Sequence, residues 1–175
     1  MEIANWIEHD KLEFQNETFT TIDLLSSKAK SNKEGFDFYT ELVFVDCSIQ
    51  SFVAPTLLLG RKIRFENCTI DQFSCHATYF HGGLEIINCQ IKKESQFDCG
   101  GHNKSPNEVI IDSCQFNEFV NFFDIYYEGP VTITNNKFGK GTNLGFYLGV
   151  PYGVKEGIPF KMENNKGQMD LTEND

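Results

Sequence analysis

An eight-residue pattern of apolar and polar positions recurs along the chain, and we call each copy an octet. The first and third positions are always apolar, whereas the second and fourth are mixed, which is the period-two pattern of a strand with one buried face. Two copies read Ile63-Arg-Phe-Glu-Asn-Cys-Thr-Ile70 and Leu84-Glu-Ile-Ile-Asn-Cys-Gln-Ile91. The seven octets begin at residues 12, 42, 63, 84, 109, 131 and 160. The pattern therefore predicts one strand per repeat unit of about 21 to 22 residues, with insertions at three places.

The fifth position of the octet predicts a corner in the chain. It holds only Asn, Asp or Ser, residue types that tolerate a left-handed backbone or bond their own turn. These residues are Asn16, Asp46, Asn67, Asn88, Ser113, Asn135 and Asn164. The eighth position is apolar again in six of the seven octets. We therefore expect the chain to turn at the fifth position and to bury another side chain soon afterwards.

The segments between octets favour strands over helices. They lack the amphipathic pattern with a period of 3.6 residues that helical and leucine-rich repeats require. Short apolar or aromatic runs at 56–59, 77–80, 122–127 and 144–148 fit a second strand in each unit. We predict an all-β fold, a single-stranded right-handed parallel β-helix (solenoid) of about seven coils with a period near 21–22 residues.

The octets resemble those of right-handed parallel β-helices and, more distantly, the pentapeptide-repeat proteins. In the latter family a central Phe or Leu recurs every five residues, with a small residue two positions before it. The residues that carry the resemblance are Cys47/Ile49, Cys68/Ile70, Cys89/Ile91 and Cys114/Phe116, and the five-residue steps Phe44, Ile49, Ala54, Leu59 and Phe65, Ile70, Cys75, Phe80. It covers about residues 12–167 and implies a coiled rod. The unit here is longer than four pentapeptides, and the resemblance implies little about activity.

The repeat also divides the chain into parts. They are a short N-terminal cap (1–11) that contains Trp6, the β-helix (12–167) and an acidic tail (168–175). Insertions near 26–40, 99–108 and 149–159 interrupt the β-helix. Because stacked turns superimpose, we expect all three insertions on one side of the rod, and in repeat proteins such a side is often the binding one.

Cysteine occupies the sixth position of four octets, at Cys47, Cys68, Cys89 and Cys114. Stacked parallel strands would place their Cβ atoms about 4.8 Å apart, which exceeds the roughly 3.5 to 4.5 Å that a disulfide prefers. We therefore expect free, buried thiols that fill a narrow corner. The predicted core consists of the third and eighth positions, Phe14, Phe44, Phe65, Ile86, Ile111, Ile133, Ile49, Ile70, Ile91, Phe116 and Phe138.

The charge balance narrows the range of partners. Lys and Arg total 15 against 25 for Asp and Glu, a net charge of −10, which argues against a nucleic-acid partner. The charge is also too low for a mimic of duplex DNA, which carries about one charge per 1.7 Å. No run of about 18 to 20 apolar residues predicts a membrane span, and no basic segment followed by an apolar run opens the chain. We expect a cytoplasmic protein with reduced thiols and no membrane partner.

Residues with metal-ligand chemistry cluster in the middle of the chain, at Cys75, His76, His81, Cys99 and His102. Cys99 and His102 have the two-residue spacing of a ligand pair, but no matching pair precedes them. We therefore predict no metal and no cofactor, and the sequence leaves open whether Cys75, His81, Cys99 and His102 converge. A carboxylate pair, Asp98 and Asp124, falls at similar positions of neighbouring coils, which chance can explain. Since no nucleophile, phosphate loop or acid/base constellation is apparent, we predict that the chain is not an enzyme.

The predicted binding residues are aromatic side chains near the third insertion: Tyr126, Tyr127, Phe146, Tyr147 and Tyr152. Aromatic rings with polar tips suit protein contact or sugar stacking, and the alternative is that these rings form core beneath a loop. A second candidate surface is the outer face of the octet strands, where Val43, Val45, Ile87 and Ile110 are apolar.

The sequence favours a non-enzymatic intracellular protein-binding solenoid, such as an inhibitor or a toxin-immunity protein. The alternative is a carbohydrate-binding or carbohydrate-cleaving β-helix that uses the aromatic loop face. A third hypothesis is a structural repeat domain that forms a homodimer through one end of the coil.

Overall fold

The computed structural model describes residues 3–27, 30–31, 36–145 and 153–171, and its octets form one parallel sheet. We call this sheet the first side. Its seven strands, in spatial order, are Lys11–Gln15, Glu41–Val45, Ile63–Glu66, Leu84–Ile87, Val109–Asp112, Val131–Thr134 and Phe160–Glu163. Phe44 pairs with Phe65, and Phe65 with Ile86, so the octets stack in register. The chain is therefore a parallel β-solenoid of the kind the octets predicted.

Two further sides complete each turn, where the sequence predicted only one more strand. The second side consists of Thr18–Phe19, Ile22–Asp23, Ser48–Val53, Thr69–Ser74, Gln90–Ile91, Ser95–Gln96, Gln115–Phe116, Val120–Asn121 and Lys137–Phe138. The third side consists of Lys30–Ser31, Phe36–Phe38, Leu57–Leu59, Gly101–Lys104 and Tyr126–Glu128. Single bridges join Tyr79 to Leu58 and to Gly101, and thus link the third-side strands across one turn. All pairings are parallel except that of Lys30–Ser31 with Phe36–Phe38.

The coil has about five turns, fewer than the seven that the octet count predicted. The count of seven is correct for strands on the first side. Since crossovers between parallel strands are right-handed in nearly all proteins, the stacked architecture is consistent with the right-handed coil predicted.

The first corner follows the fifth octet position, as predicted. All seven residues there have positive φ, between 52° and 59°. Their side chains form hydrogen bonds along the rod, since Asn88 Nδ2 donates to Asn67 Oδ1 at 2.8 Å and Asn67 Nδ2 donates to Asp46 Oδ1 at 3.1 Å. The same side chains that accept the left-handed backbone therefore also connect successive turns.

A second corner, between the second and third sides, also uses a left-handed residue in four successive turns. The residues are Thr56, Ala77, Cys99 and Asp124, with φ between 50° and 57°. Backbone bonds from Ala77 N–H to the Asp98 carbonyl and from Cys99 N–H to the Phe123 carbonyl fix the alignment of these turns. We call this feature the second corner, and it positions the polar cluster described below.

Stacked aromatic rings fill the interior. The rings of Phe44 and Phe65 lie 5.1 Å apart and 8° from parallel. Ten of the eleven predicted core residues are buried, and Phe14 is half-buried because it lies on the first rung. The sequence did not assign a second stack to the core, in which neighbouring ring centroids lie 4.9 to 5.3 Å apart. That stack consists of Phe52, Phe73, Phe97 and Phe122.

The four-cysteine column is buried and its thiols are free, as predicted. The Cys89 Sγ accepts the backbone N–H of Cys68 at 3.4 Å, and the thiol itself donates to the Ile87 carbonyl. In the turn after Cys114 the same position holds Asn136, whose Oδ1 accepts the Cys114 N–H at 2.9 Å. Cys89 and Asn136 thus share one property, a side-chain atom that accepts a hydrogen bond from the backbone N–H one turn earlier.

Both ends of the coil contact other segments of the chain. A 3₁₀ helix, Ile3–Glu8, places Trp6 over the first rung, 4.9 Å from the Phe14 ring. A second 3₁₀ helix spans Leu24–Ser27. At the other end, the Gly145 N–H donates to the Met169 carbonyl, so residues 168–171 of the predicted acidic tail pair with the preceding turn. Residues 172–175 lie outside the described part of the chain. In the described ranges, no helix has the length and apolar character needed to cross a membrane.

Candidate functional site

The three insertions all contribute to the third side, as the stacking argument predicted. The first insertion supplies Phe36–Phe38, which pairs with Leu57–Leu59. The second supplies Gly101–Lys104, which pairs with Tyr126–Glu128. In the described part of the third, Val154 bridges Tyr127. The third side therefore differs most from the regular repeat, and it is where we look for a binding surface.

Aromatic and imidazole rings line the outer surface of this side. The rings of Tyr79 and His102 lie 4.5 Å apart, and those of His102 and Tyr126 lie 5.7 Å apart. All three rings are half-buried, and we call them the aromatic ladder. His102 Nδ1 lies 3.4 Å from Glu128 Oε2, which holds the imidazole at the outer edge of the third side. The ladder and the neighbouring Glu128 thus combine apolar ring faces with two hydroxyls, an imidazole and a carboxylate.

A β-bulge places His102 in the ladder. Gly101 pairs with Tyr126 and Lys104 with Glu128, so one strand has an extra residue over this span. Gly101 has a φ of 98°, and a Cβ at this position would lie 2.5 Å from the Tyr126 carbonyl oxygen. Only glycine fits this backbone. Gly101, which pairs with both Tyr79 and Tyr126, has no side chain to place between their rings. Because of the bulge, the imidazole of the next residue, His102, lies there instead.

The structure separates the predicted binding residues. Tyr126 belongs to the aromatic ladder, whereas Tyr127 points into the core and has no exposed surface. Burial raises the pKa of the Tyr127 hydroxyl, which has no hydrogen-bond partner. Tyr127 therefore fits the alternative prediction of core beneath a loop. Phe146, Tyr147 and Tyr152 lie outside the described residues. Tyr79 and His102 were not among the predicted binding residues, because their common outward direction depends on the third side and its bulge.

A second polar group lies at the second corner, and we call it the corner cluster: His76, Asp98 and Cys99. His76 and Asp98 occupy the same position in successive turns, and His76 Nδ1 lies 2.7 Å from Asp98 Oδ2. The Cys99 thiol lies 3.8 Å from the same oxygen. An imidazole nitrogen, a carboxylate oxygen and the thiol sulfur all lie within 4.8 Å of one another.

The electrostatics of the corner cluster do not favour a nucleophilic cysteine. Burial and then the negative charges of Asp98 and Asp124 raise the pKa of Cys99 above its ordinary value. A catalytic cysteine requires the opposite, a thiolate stabilised by a neighbouring cation or helix N-terminus. The carboxylate also lies between the imidazole and the thiol, rather than behind the imidazole as in a Cys-His-Asp triad.

The predicted metal-ligating candidates do not converge as one group. Cys75 is buried in the core, where burial raises its pKa. His102 belongs to the third side, and His81 lies near Tyr79, with 6.1 Å between ring centroids. Asp98, absent from the predicted ligand candidates, joins Cys99 and His76 instead. Asp124 stacks on Cys99 rather than on Asp98, one position from the pairing that the sequence suggested.

A shallow pocket of about 200 Å³ lies where the third side meets the first. Its lining residues are Glu41, Gly60, Arg61, Lys62, Gly82 and Asn107. The volume is below the roughly 300 to 1,000 Å³ of pockets that enclose small ligands. The aromatic ladder and the corner cluster are therefore the stronger candidates for function.

No protein-family model matches the chain, and no curated protein or solved structure shows significant similarity to it.

Proposed function

We propose that the chain is a non-enzymatic protein-binding solenoid that contacts its partner through the aromatic ladder of the third side. The observation that carries this proposal is the row of half-buried rings, Tyr79, His102 and Tyr126, on the outer surface of the third side, to which all three insertions contribute. Aromatic side chains with polar tips are enriched in protein interfaces because they bury large areas with little loss of side-chain entropy. Inhibitors and toxin-immunity proteins are the functional classes that fit this role.

The net charge of the whole chain, −10, favours a basic partner. On the third-side strands themselves the charged residues balance, with Asp37 and Glu128 against Lys30 and Lys104. Tyr39, whose side chain is 56% exposed, extends the aromatic surface toward the first turns. A cationic partner surface would be attracted over a distance of roughly a Debye length, about 8 Å at physiological salt. Because all six cysteines are free, the proposal places this encounter in the reducing cytoplasm.

The test begins with affinity capture from the native cells and mass spectrometry, using the full chain as bait. The captured partner is then purified, and its affinity is measured by calorimetry for the wild type and for Tyr79→Ala/Tyr126→Ala. We expect one stoichiometric protein partner, an affinity at least about tenfold lower for the double variant, and weaker binding as salt increases.

The matched control is Ile87→Ala/Ile110→Ala, which trims two half-buried side chains on the outer face of the first side. This control should retain wild-type affinity. If the control loses binding while the ladder variant retains it, the binding surface is the first side and the ladder assignment is wrong. Capture of no stoichiometric partner would contradict the proposed function itself.

Carbohydrate binding is the second candidate, and the ladder is the observation that favours it. Successive rings with neighbouring carboxylate and imidazole groups could stack on sugar rings and bond their hydroxyls. A glycan array and a reducing-end assay distinguish this candidate. Specific glycan binding that disappears in Tyr79→Ala/Tyr126→Ala, without a protein partner, would replace the proposal above.

A further inference from the structure

We propose that His76, Asp98 and Cys99 form a binding site for a divalent cation of the zinc class. The corner cluster lies at the second corner, apart from the aromatic ladder, and this proposal does not depend on the protein-binding function. It combines a nitrogen, an oxygen and a sulfur donor from two adjacent turns of the solenoid.

The donor spacing already approaches that of a tetrahedral metal site. Zinc binds nitrogen, oxygen and sulfur ligands at about 2.0 to 2.3 Å, so its ligand atoms lie roughly 3.3 to 3.8 Å from one another. The Asp98 Oδ2 lies 2.7 Å from His76 Nδ1 and 3.8 Å from Cys99 Sγ. Small side-chain rotations would bring all three donors to one ion, because none is more than 4.8 Å from the others.

The Asp98 carboxylate supplies an independent observation. Asp98 is only 9% exposed, and its second oxygen, Oδ1, is buried without a hydrogen-bond partner. A buried carboxylate oxygen without a partner is costly, and such atoms often indicate a missing ion or water. A cation bound by Asp98 would neutralise the carboxylate in a place where His76 is its only partner among the described ion pairs.

The donor set also selects the class of ion. Calcium and magnesium prefer six or more oxygen ligands, whereas imidazole and thiolate together favour zinc and its neighbours in the first transition series. On binding, the thiol proton of Cys99 passes to solvent and the sulfur becomes a thiolate ligand. Three protein ligands leave a fourth position for water. Asp124, stacked on Cys99 in the next turn, adds negative charge nearby.

The backbone explains why the corner can hold these donors. Cys99 has a φ of 57°, which turns the chain directly after Asp98. The backbone bonds of Ala77 to Asp98 and of Cys99 to Phe123 hold this turn against its neighbours on both sides. The site is therefore largely formed before the ion binds, and little ordering opposes binding.

The experiment is a titration of the reduced, metal-free full chain with cobalt(II), followed by competition with zinc. We expect one equivalent of cobalt(II) to give thiolate-to-metal charge-transfer absorption and tetrahedral d–d bands, both of which zinc abolishes. Zinc should also protect Cys99 from alkylation, as identified by peptide mass spectrometry.

The variants are Cys99→Ser, His76→Gln and Asp98→Asn. Cys99→Ser should remove the charge-transfer band, and each of the other two should lower the zinc affinity by more than about tenfold. His76 is 52% exposed, so His76→Gln tests the site without a risk to folding. The matched control is His102→Gln, which removes an imidazole from a histidine-carboxylate pair that has no thiol, and this variant should bind as the wild type does.

Two results would overturn the proposal. One is the absence of saturable binding at one equivalent of cobalt(II) or zinc. The other is binding that persists with unchanged affinity in both His76→Gln and Cys99→Ser, since the ion would then be held elsewhere.

Discussion

Interior aromatic side chains in this protein pack against the side chain at the equivalent position of the neighbouring turn. Phe65 shows this most clearly. It stacks on Phe44 at 5.1 Å within its own column and makes edge contacts with Phe52 and Phe73 from the second stack. The Phe65 side chain is fully buried. An interior ring such as Phe65 therefore packs against rings of its own turn and of the preceding one. Its removal should lower the free energy of unfolding substantially.

We expect Phe65→Ala to lower the free energy of unfolding by about 3 to 5 kcal/mol, because it removes a buried ring and leaves a cavity that stacked neighbours cannot fill. Denaturant titration followed by circular dichroism measures this change. The matched control is Phe160→Ala, which deletes the same ring from a partly exposed position on the last strand of the same sheet. A cost for Phe65→Ala no greater than that of the control would refute the role assigned to the stack.

Neighbouring strands are also tied together by charge on the outer face of the first side. Glu85 lies between Lys62 and Arg64, and Arg64 Nη2 also lies 2.7 Å from Glu66. Burial by itself raises the pKa of Glu85, but the hydrogen bonds and charges of Lys62 and Arg64 outweigh it and hold the pKa below its ordinary value. The ion pairs therefore add stability only while Glu85 is ionised.

The variant Glu85→Gln should lower the free energy of unfolding at neutral pH by about 1 to 3 kcal/mol. Because the folded pKa is lowered, the contribution is fully present above the unfolded value of about 4.3 and is lost as the pH falls through the folded pKa. The difference from wild type should therefore shrink below about pH 4, as urea titrations across pH would show. Glu66→Gln, at a more exposed position, is the control and should cost less than about 1 kcal/mol. A difference that stays constant on acidification would contradict this assignment.

Among the elements, the first side could be predicted almost completely from the sequence, whereas the second corner could not. The octets predict the strands through their alternating apolar positions. They predict the corner through the fifth position, where Asn, Asp or Ser suits a left-handed backbone. Thr56, Ala77 and Cys99 have no such preference and adopt positive φ only because stacked neighbours hold them there. The alignment of His76 with Asp98, and so the corner cluster, was therefore not predictable from residue type.

In the whole molecule, equivalent residues of successive turns stack on one another, and the departures from this regular repeat lie mainly on the third side. The three insertions reach the third side because each interrupts the same part of a turn. Trp6 contacts the first rung, and residues 168–171 pair with the preceding turn. Regular columns thus supply a rigid rod, while the irregular third side and second corner carry the candidate chemistry. Both proposals depend on this register, since a shift by one residue would turn the ladder inward.

Nuclear Overhauser contacts in the uniformly labelled full chain test that register most directly. The stacked arrangement predicts contacts between the backbones of Phe44 and Phe65, and of Phe65 and Ile86, with the spacing of parallel strands about 4.8 Å apart. The same pattern should recur at Gly101 and Tyr126 on the third side. Close Hα–Hα contacts of antiparallel pairs between octets, or contacts displaced by one residue, would contradict the account.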